Sequence, residues 1–403
     1  MTKGFFFLPL LCLWLFTTAN SAQALDMTGR ASIVSLAAMP ASGDAGYKTG
    51  QHNLLANQAS LRLMFDDTAA QSQWSIHATS TYQRSDGLPL SNLHSSDLFR
   101  YRPLAGNWHD TSSASDTNRL GYDIDRLVYK RNFDNISLAL GRQAMDWGSG
   151  RFWQPLNVFG AFAPTDLDTD YKTGIDAAVL DWYPSAFSSL TTVYIPKSDE
   201  HGDSMAIYAR NQVGEAAEVS VLAGQVLGNK VLGASIESEA LGMGWRWEGL
   251  RYETQAQTTA LFWIAGLDYQ FENGTLLATE WYHNSAGADN EVLLAASQSN
   301  PRVIYGLQQH LGKNVLGLAL NNDITALLHG SYALFTSFLQ DTAGRNAFSF
   351  LHQASLSYLM SDESDLLFSA LIGQGKGLDT SLAPQSEFGH LPSSVTLRYR
   401  RYF

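Results

Sequence analysis

Gln73-Trp74-Ser75-Ile76-His77-Ala78-Thr79-Ser80-Thr81-Tyr82-Gln83 repeats its chemistry every second residue. Successive side chains of a β-strand point to opposite faces, so Trp74, Ile76, Ala78, Ser80 and Tyr82 share one face. Gln73, Ser75, His77, Thr79, Thr81 and Gln83 share the other. The first face suits lipid, with aromatics near two interfaces, and the second suits water. Ala260 to Glu272 is looser: Leu261, Trp263, Ala265, Leu267, Tyr269 and Phe271 alternate with Phe262, Ile264, Gly266, Asp268 and Gln270. In Phe348 to Met360, Phe348, Phe350, Ala354, Leu356 and Tyr358 oppose Ser349, Gln353, Ser355 and Ser357, while Leu351 and His352 break the pattern.

A soluble β-sandwich alternates too, with its apolar face buried. Two features favour a membrane barrel. Aromatics gather towards segment ends, where interfacial girdles belong. The connections are also unequal in alternation. Candidate strands fall near 27–39, 54–66, 72–84, 119–131, 134–142, 172–184, 187–197, 204–212 and 216–226. They continue near 231–239, 243–253, 260–272, 274–284, 302–312, 327–338, 347–360, 363–374 and 393–403. That is about 18 strands in an all-β, antiparallel transmembrane barrel; a further strand inside 313–326 would break the parity, which leaves 16 as the second choice. Asp66-Asp67-Thr68, Arg131-Asn132-Phe133, Glu272-Asn273-Gly274 and Ser361-Asp362-Glu363 read as tight turns on one side. The long polar connections 40–53, 85–118, 143–171, 285–301 and 375–392 fall on the other, the outside if the chain starts in the periplasm.

Composition agrees with this reading. Aromatics are 12% and charged residues only 16% of the 403 residues, whereas soluble domains carry about 25% charged residues. Beyond the N-terminal segment no apolar run reaches the roughly 18 residues of a spanning helix. The formal net charge of −12 is dispersed, which argues against nucleic acid as a partner.

The N-terminus reads as a secretory signal peptide over 1–24: Lys3, an apolar Gly4–Phe16, then Ala22-Gln23-Ala24 as an A-x-A cleavage site. The barrel then occupies 25–403. Cys12, the one cysteine, leaves with the signal, so the mature chain has no disulfide, Cys-zinc site or Cys nucleophile.

The chain closes Leu397-Arg398-Tyr399-Arg400-Arg401-Tyr402-Phe403. Tyr399 and the terminal Phe403, on an alternating strand, resemble the signal read by the barrel-assembly machinery. Arg401 departs from the apolar residue usual on that face, and near an interface it can snorkel to the headgroups.

One segment is distinctive: Gly141-Arg142-Gln143-Ala144-Met145-Asp146-Trp147-Gly148, then Lys172-Thr173-Gly174-Ile175-Asp176-Ala177 and Trp182-Tyr183-Pro184. The pattern GRQ-x-x-x-WG, K-x-G-x-D-A and W-Y-P resembles one shared by porin-like outer-membrane barrels and, more loosely, by alginate-export porins. The resemblance covers about a tenth of the chain and implies a channel or transport role with no catalytic residues.

The connection 143–171 is too long for a plain hairpin. Trp147, Phe152 and Trp153, the expected loop anchors, need burial, so the loop is expected to fold into the lumen. Arg142, Arg151 and Lys172 beside Asp146, Asp166, Asp168, Asp170 and Asp176 would then line a constriction with opposed charges, as in pores that select polar solutes. The alternative is an external cap whose charges pair among themselves.

Other chemistry finds little support. Asp166-x-Asp168-x-Asp170 opens like a calcium loop, but Tyr171 and Ala177 stand where its Gly and Glu are needed, so no metal is expected. Outer-membrane phospholipases place a His and a Ser two residues apart on a lipid-facing strand. His329 and Ser331 have that spacing, but Leu328, Tyr332 and Leu334 take the apolar face, so the pair should face the lumen.

The sequence therefore points to an outer-membrane channel for passive diffusion of small hydrophilic solutes, without enzymatic activity or cofactor. The alternatives are transport of a hydrophobic or polymeric molecule with periplasmic partners, and a plugged barrel binding through its outer loops. The expected partners are outer-membrane lipid and lipopolysaccharide, the barrel-assembly machinery, a small solute and a second copy of the chain.

Overall fold

Alternation becomes register along strands β1 (Asp26–Met39), β2 (Leu54–Thr68), β3 (Ser72–Ser85), β4 (His109–Asp110), β5 (Asn118–Phe133), β6 (Ile136–Gln143) and β7 (Ile175–Ser185). There follow β8 (Ser188–Ile195), β9 (Ser204–Val213), β10 (Ala217–Val226), β11 (Asn229–Ala240), β12 (Met243–Glu253) and β13 (Thr259–Gln270). The chain ends with β14 (Leu276–Asn284), β15 (Asn314–Thr325), β16 (Leu328–Ser337), β17 (Ser349–Ser361), β18 (Ser364–Gln374) and β19 (Ser393–Tyr402). Two short helices, α1 (Ala45–Lys48) and α2 (Glu291–Ser297), sit in long loops. This computed structural model describes residues 26–48, 50, 53–86, 101–103, 109–110, 117–196, 202–297 and 308–403. The expected signal peptide, 1–24, and most of 85–118 lie outside those residues.

Eighteen strands form a closed antiparallel barrel. Each pairs with its neighbour in sequence, and β19 returns to β1 from Arg30↔Tyr402 to Met39↔Ser393. Closure leaves no open edge, and an unpaired backbone group in hydrocarbon costs several kcal/mol. The remaining strand, β4, pairs His109 with Tyr122 and Asp110 with Gly121 on β5. Those β5 residues meet Ser80 and Thr81 of β3 on their other side. So β4 lies where the shorter β6, which pairs with β5 only at Leu127–Phe133, has already left.

The outer face is apolar, and the inner face is polar except where Val193, Leu222, Leu250, Phe262 and Phe335 pack inward around residues 147–159. Ile33, Leu61, Leu120, Leu232, Leu261 and Phe368 are exposed, whereas Ser32, Thr81, Gln83, Ser235 and Thr396 are buried. Aromatic girdles mark both ends: Trp182, Trp245, Tyr269 and Tyr358 beside the short turns, and Trp281, Phe338 and Phe348 beside the long loops. Of the last group, Trp281–Phe338 and Phe338–Phe348 lie 5.1 and 5.2 Å apart. Outward apolar bands between aromatic girdles are the surface a lipid bilayer requires. No helix among the described residues is long and apolar enough to cross a membrane.

One expected strand is misplaced. Of the expected 302–312 strand, 302–307 lie outside the described residues and Gln308–Gly312 are loop; the strand that pairs with β14 is β15 at Asn314–Thr325. Leu316, Leu318 and Leu320 alternate there with Gly317 and Ala319, so both faces are apolar or small and no polar alternation announces a strand. Because β15 is the next barrel neighbour of β14, the strand count is unchanged.

Candidate functional site

Two glutamates on the inner wall hold the chain between β6 and β7. Glu248 of β12 is 0% exposed and accepts the main-chain N–H of Ser149 (2.7 Å) and Leu156 (2.5 Å). Glu280 of β14 accepts those of Arg151 (2.9 Å), Phe152 (3.2 Å) and Trp153 (2.9 Å). A buried carboxylate is tolerated when donors surround it, and charge-assisted bonds of this kind are about twice as strong as neutral ones. The wall makes room for the side chains. A Cβ on Gly233 would lie 2.3 Å from Leu156 Cδ2, and one on Gly317 would lie 2.7 Å from Phe152 Cδ2. Trp153 is 0% exposed and its ring meets Phe335 of β16 at 5.9 Å.

From there residues 144–174 travel round the lumen as a collar. Trp147 stacks on Tyr208 of β9 at 4.9 Å before the glutamate anchors. After them, Gln353 of β17 donates to the Thr165 carbonyl (3.1 Å) and Arg398 of β19 to the Leu167 carbonyl. Arg30 of β1 grips both oxygens of Asp168 at 2.7 Å and Asp170 at 2.9 Å. Asp170 also accepts from Arg400 (2.7 Å) and Tyr402 of β19. The Tyr171 ring lies under the guanidinium groups of Arg30 and Arg62, 4.8 and 4.1 Å away.

A β-bulge closes the circuit. Asp125 has no register partner on β3, since His77 pairs with Arg126 and Ala78 with Ile124. A bulge re-aims side chains, and here two successive charges enter the lumen. Asp125 binds Arg62 through two bonds of 2.8 and 2.7 Å, while Arg126 donates to the Lys172 carbonyl just before β7.

The expected site residues fall into three places. Asp146, Arg151, Asp166 and Lys172 line a cleft of about 340 Å³, together with Phe152 and Phe162. Lys172 reaches Asp146 and lies 5.3 Å over the Phe162 ring; Arg151 Nε donates to Asp268 of β13 at 2.9 Å. Asp168 and Asp170 are tied to the wall arginines. Arg142 and Asp176 are 6% and 1% exposed, bonded to each other at 2.7 Å within the wall beside Asp123 and Arg102. They do not border the cleft. Tyr399 lies on the outer face of β19, and Phe403, just past its end, exchanges backbone bonds with Gly29.

The surroundings set the charges differently. Burial pushes the Asp166 carboxyl up, against the Ala163 amide that bonds it. Burial acts the same way on Asp170, but the Tyr402 hydroxyl, Arg400 and Arg30 outweigh it and hold that carboxyl below the ordinary range. Among the described residues no cluster of His, Cys, Asp or Glu is arranged to hold a metal.

Glu248 and Glu280 are absent from the sequence-based reading of the site, as are Arg30, Arg62, Arg398 and Arg400. A signal existed: Trp247-Glu248 and Glu280-Trp281 each set a charge beside an outward aromatic, hence inward, in mid-strand.

No family model and no curated protein matches the chain. Solved structures share its fold. OccAB4 of Acinetobacter baumannii is 9% identical with a TM-score of 0.58, over 94% of this chain and 98% of that one. OccAB1 of the same organism is 10% identical with a TM-score of 0.59, over 94% and 96%. The outer membrane protein opdK of Pseudomonas aeruginosa is 9% identical with a TM-score of 0.56, over 94% and 99%.

Proposed function

We propose that the chain is a porin-like channel of the bacterial outer membrane, through which small hydrophilic solutes diffuse passively past the collar. One observation carries this reading. An 18-stranded barrel encloses a collar bound along its inner wall, and a charged cleft is left beside that collar. Barrels of roughly 16 to 18 strands are wide enough for an aqueous channel. The fold shared with the opdK structure and the resemblance of 141–184 to porin-like barrels support the same reading. The expected signal peptide over 1–24 and Phe403 fit export and assembly into that membrane.

The test is electrical. Purified protein in a planar bilayer should give discrete, lasting conductance steps, and proteoliposomes should swell in small sugars. A second reading, a barrel plugged by its loops, is favoured by His310, which bonds Trp153 of the collar, and by Glu387 of 375–392, which in turn bonds His310. A silent bilayer and unswollen liposomes would select it.

A further inference from the structure

Three loops meet at one imidazole. His310, from 285–313, is bonded through Nδ1 to the Glu387 carboxylate of 375–392 at 2.8 Å. Its Nε2 accepts the indole N–H of Trp153, the buried tip of the collar, also at 2.8 Å. Glu387 further accepts the amides of Leu311 and Gly312 and the hydroxyl of Ser337 from β16. From β14, the Tyr282 hydroxyl accepts the main-chain N–H of Gln309 and His310. The rings of Trp153, Tyr282 and Phe388 stand edge-on to the imidazole at 5.3, 5.0 and 5.9 Å. Among the described residues, Glu387 and Tyr282 are the titratable groups that face His310.

The hydrogen bonds determine the charge state. A neutral imidazole has one donor and one acceptor, and an imidazolium has two donors. An indole N–H only donates, so the Trp153 bond needs a lone pair on Nε2 and leaves the proton on Nδ1, facing Glu387. We propose that His310 is a pH-responsive fastener of the collar: neutral, it helps to hold Trp153 to the wall, and protonated, it gives up that bond and loosens the collar there. The proposal rests on the collar being the constriction. Protonation sets two N–H groups against each other at Nε2 while strengthening the attraction of Nδ1–H to Glu387. The imidazolium therefore stays with the carboxylate, and Trp153 is what gives way. Glu387 keeps its charge meanwhile: burial would push its carboxyl up, but His310, Ser337 and the Gly312 amide outweigh that and hold it below the ordinary range. Imidazole is the side chain that ordinarily changes charge between about pH 5 and 8.

The test uses the full-length barrel, wild type, His310→Gln and Trp153→Phe, with two readouts from about pH 7.5 to about pH 5. Glutamine can still donate to Glu387 and accept from Trp153 but does not titrate; phenylalanine has no N–H to release. In bilayers, the ratio of closed to open dwell times of the wild type should rise about tenfold on acidification, the scale of one buried hydrogen bond, and stay flat in both variants. In 5-fluorotryptophan-labelled protein, the Trp153 fluorine resonance, assigned by its absence in Trp153→Phe, should shift over the same range and stay fixed in His310→Gln. A step in either readout that survives His310→Gln overturns the fastener, as does a wild type flat in both. A silent bilayer with the fluorine step intact upholds the fastener and refutes the pore. Where His310→Gln does not assemble, Trp153→Phe carries the dwell-time comparison.

Discussion

At the scale of single residues, the lumen pairs its charges closely, and position decides what each one does. Arg151 is 53% exposed in its side chain beside the cleft, whereas Arg142 is 7% exposed within the wall. Low-dielectric walls focus the field of a lumen charge. Arg151→Gln should therefore move the reversal potential towards cation preference, both at low salt and at about 0.1 M, where charges more than about 10 Å away are screened. Arg142→Gln should leave the reversal potential alone and lower the unfolding temperature, because it leaves the buried Asp176 with one partner fewer; leaving a buried charge unpaired costs about 3–5 kcal/mol. A selectivity shift from Arg142→Gln and none from Arg151→Gln would reverse the two assignments. Asp170 carries an acid-side prediction. Its carboxyl is held below the ordinary range by Tyr402, Arg400 and Arg30 against the effect of burial. Its contribution to stability is thus fully present above the ordinary value near 3.9 and is lost as the pH falls through the depressed one. In acid unfolding curves followed by heat-modifiable mobility, Asp170→Asn should flatten that slope.

At the scale of the element, the collar is held by groups of the wall more than by its own structure. Its first half is bound through backbone N–H groups to Glu248 and Glu280. Its second half is bound through carboxylates and carbonyls to arginines. Glu280→Ala strands three amides, each costing about 1–3 kcal/mol if left unpaired in a buried site. It should open 149–156 to protease in detergent while the barrel stays folded. Uncut collar in that variant would show that the aromatic packing over Gly317 suffices. Deleting 152–168 should raise unitary conductance, since the excised segment includes the cleft's Phe152, Phe162 and Asp166. Unchanged conductance would place the permeation path elsewhere.

At the scale of the whole molecule, β19 must find β1, and that pairing removes the last open edge. Phe403 takes part directly: its N–H and carbonyl exchange bonds with Gly29, and its ring covers the space where a Cβ of Gly29 would stand. Deleting Phe403 should lower outer-membrane abundance and leave chain exposed to periplasmic proteases, as measured by heat-modifiable mobility in membrane fractions. Normal abundance would separate this residue from assembly.

The sequence by itself determined the barrel. Lipid on one side and water on the other impose a period of two on each strand, and residue chemistry records it locally, as in Gln73–Gln83. It also marked 143–171 as a loop with aromatic rings to bury. Only the tertiary structure decided where that loop lies and which of its charges are open. The looser alternation of Ala260–Glu272 and the hidden strand Asn314–Thr325 share one cause: Phe262, Ile264, Gly317 and Ala319 face inward against the collar or beside it, where water is excluded. Where a distant loop replaces water as the strand's neighbour, an apolar inner face becomes favourable and the local record is erased. The pairing of Arg30 with Asp168 across 138 residues is equally invisible to spacing, because closure of the barrel, not sequence distance, brings β1 to the far end of the collar.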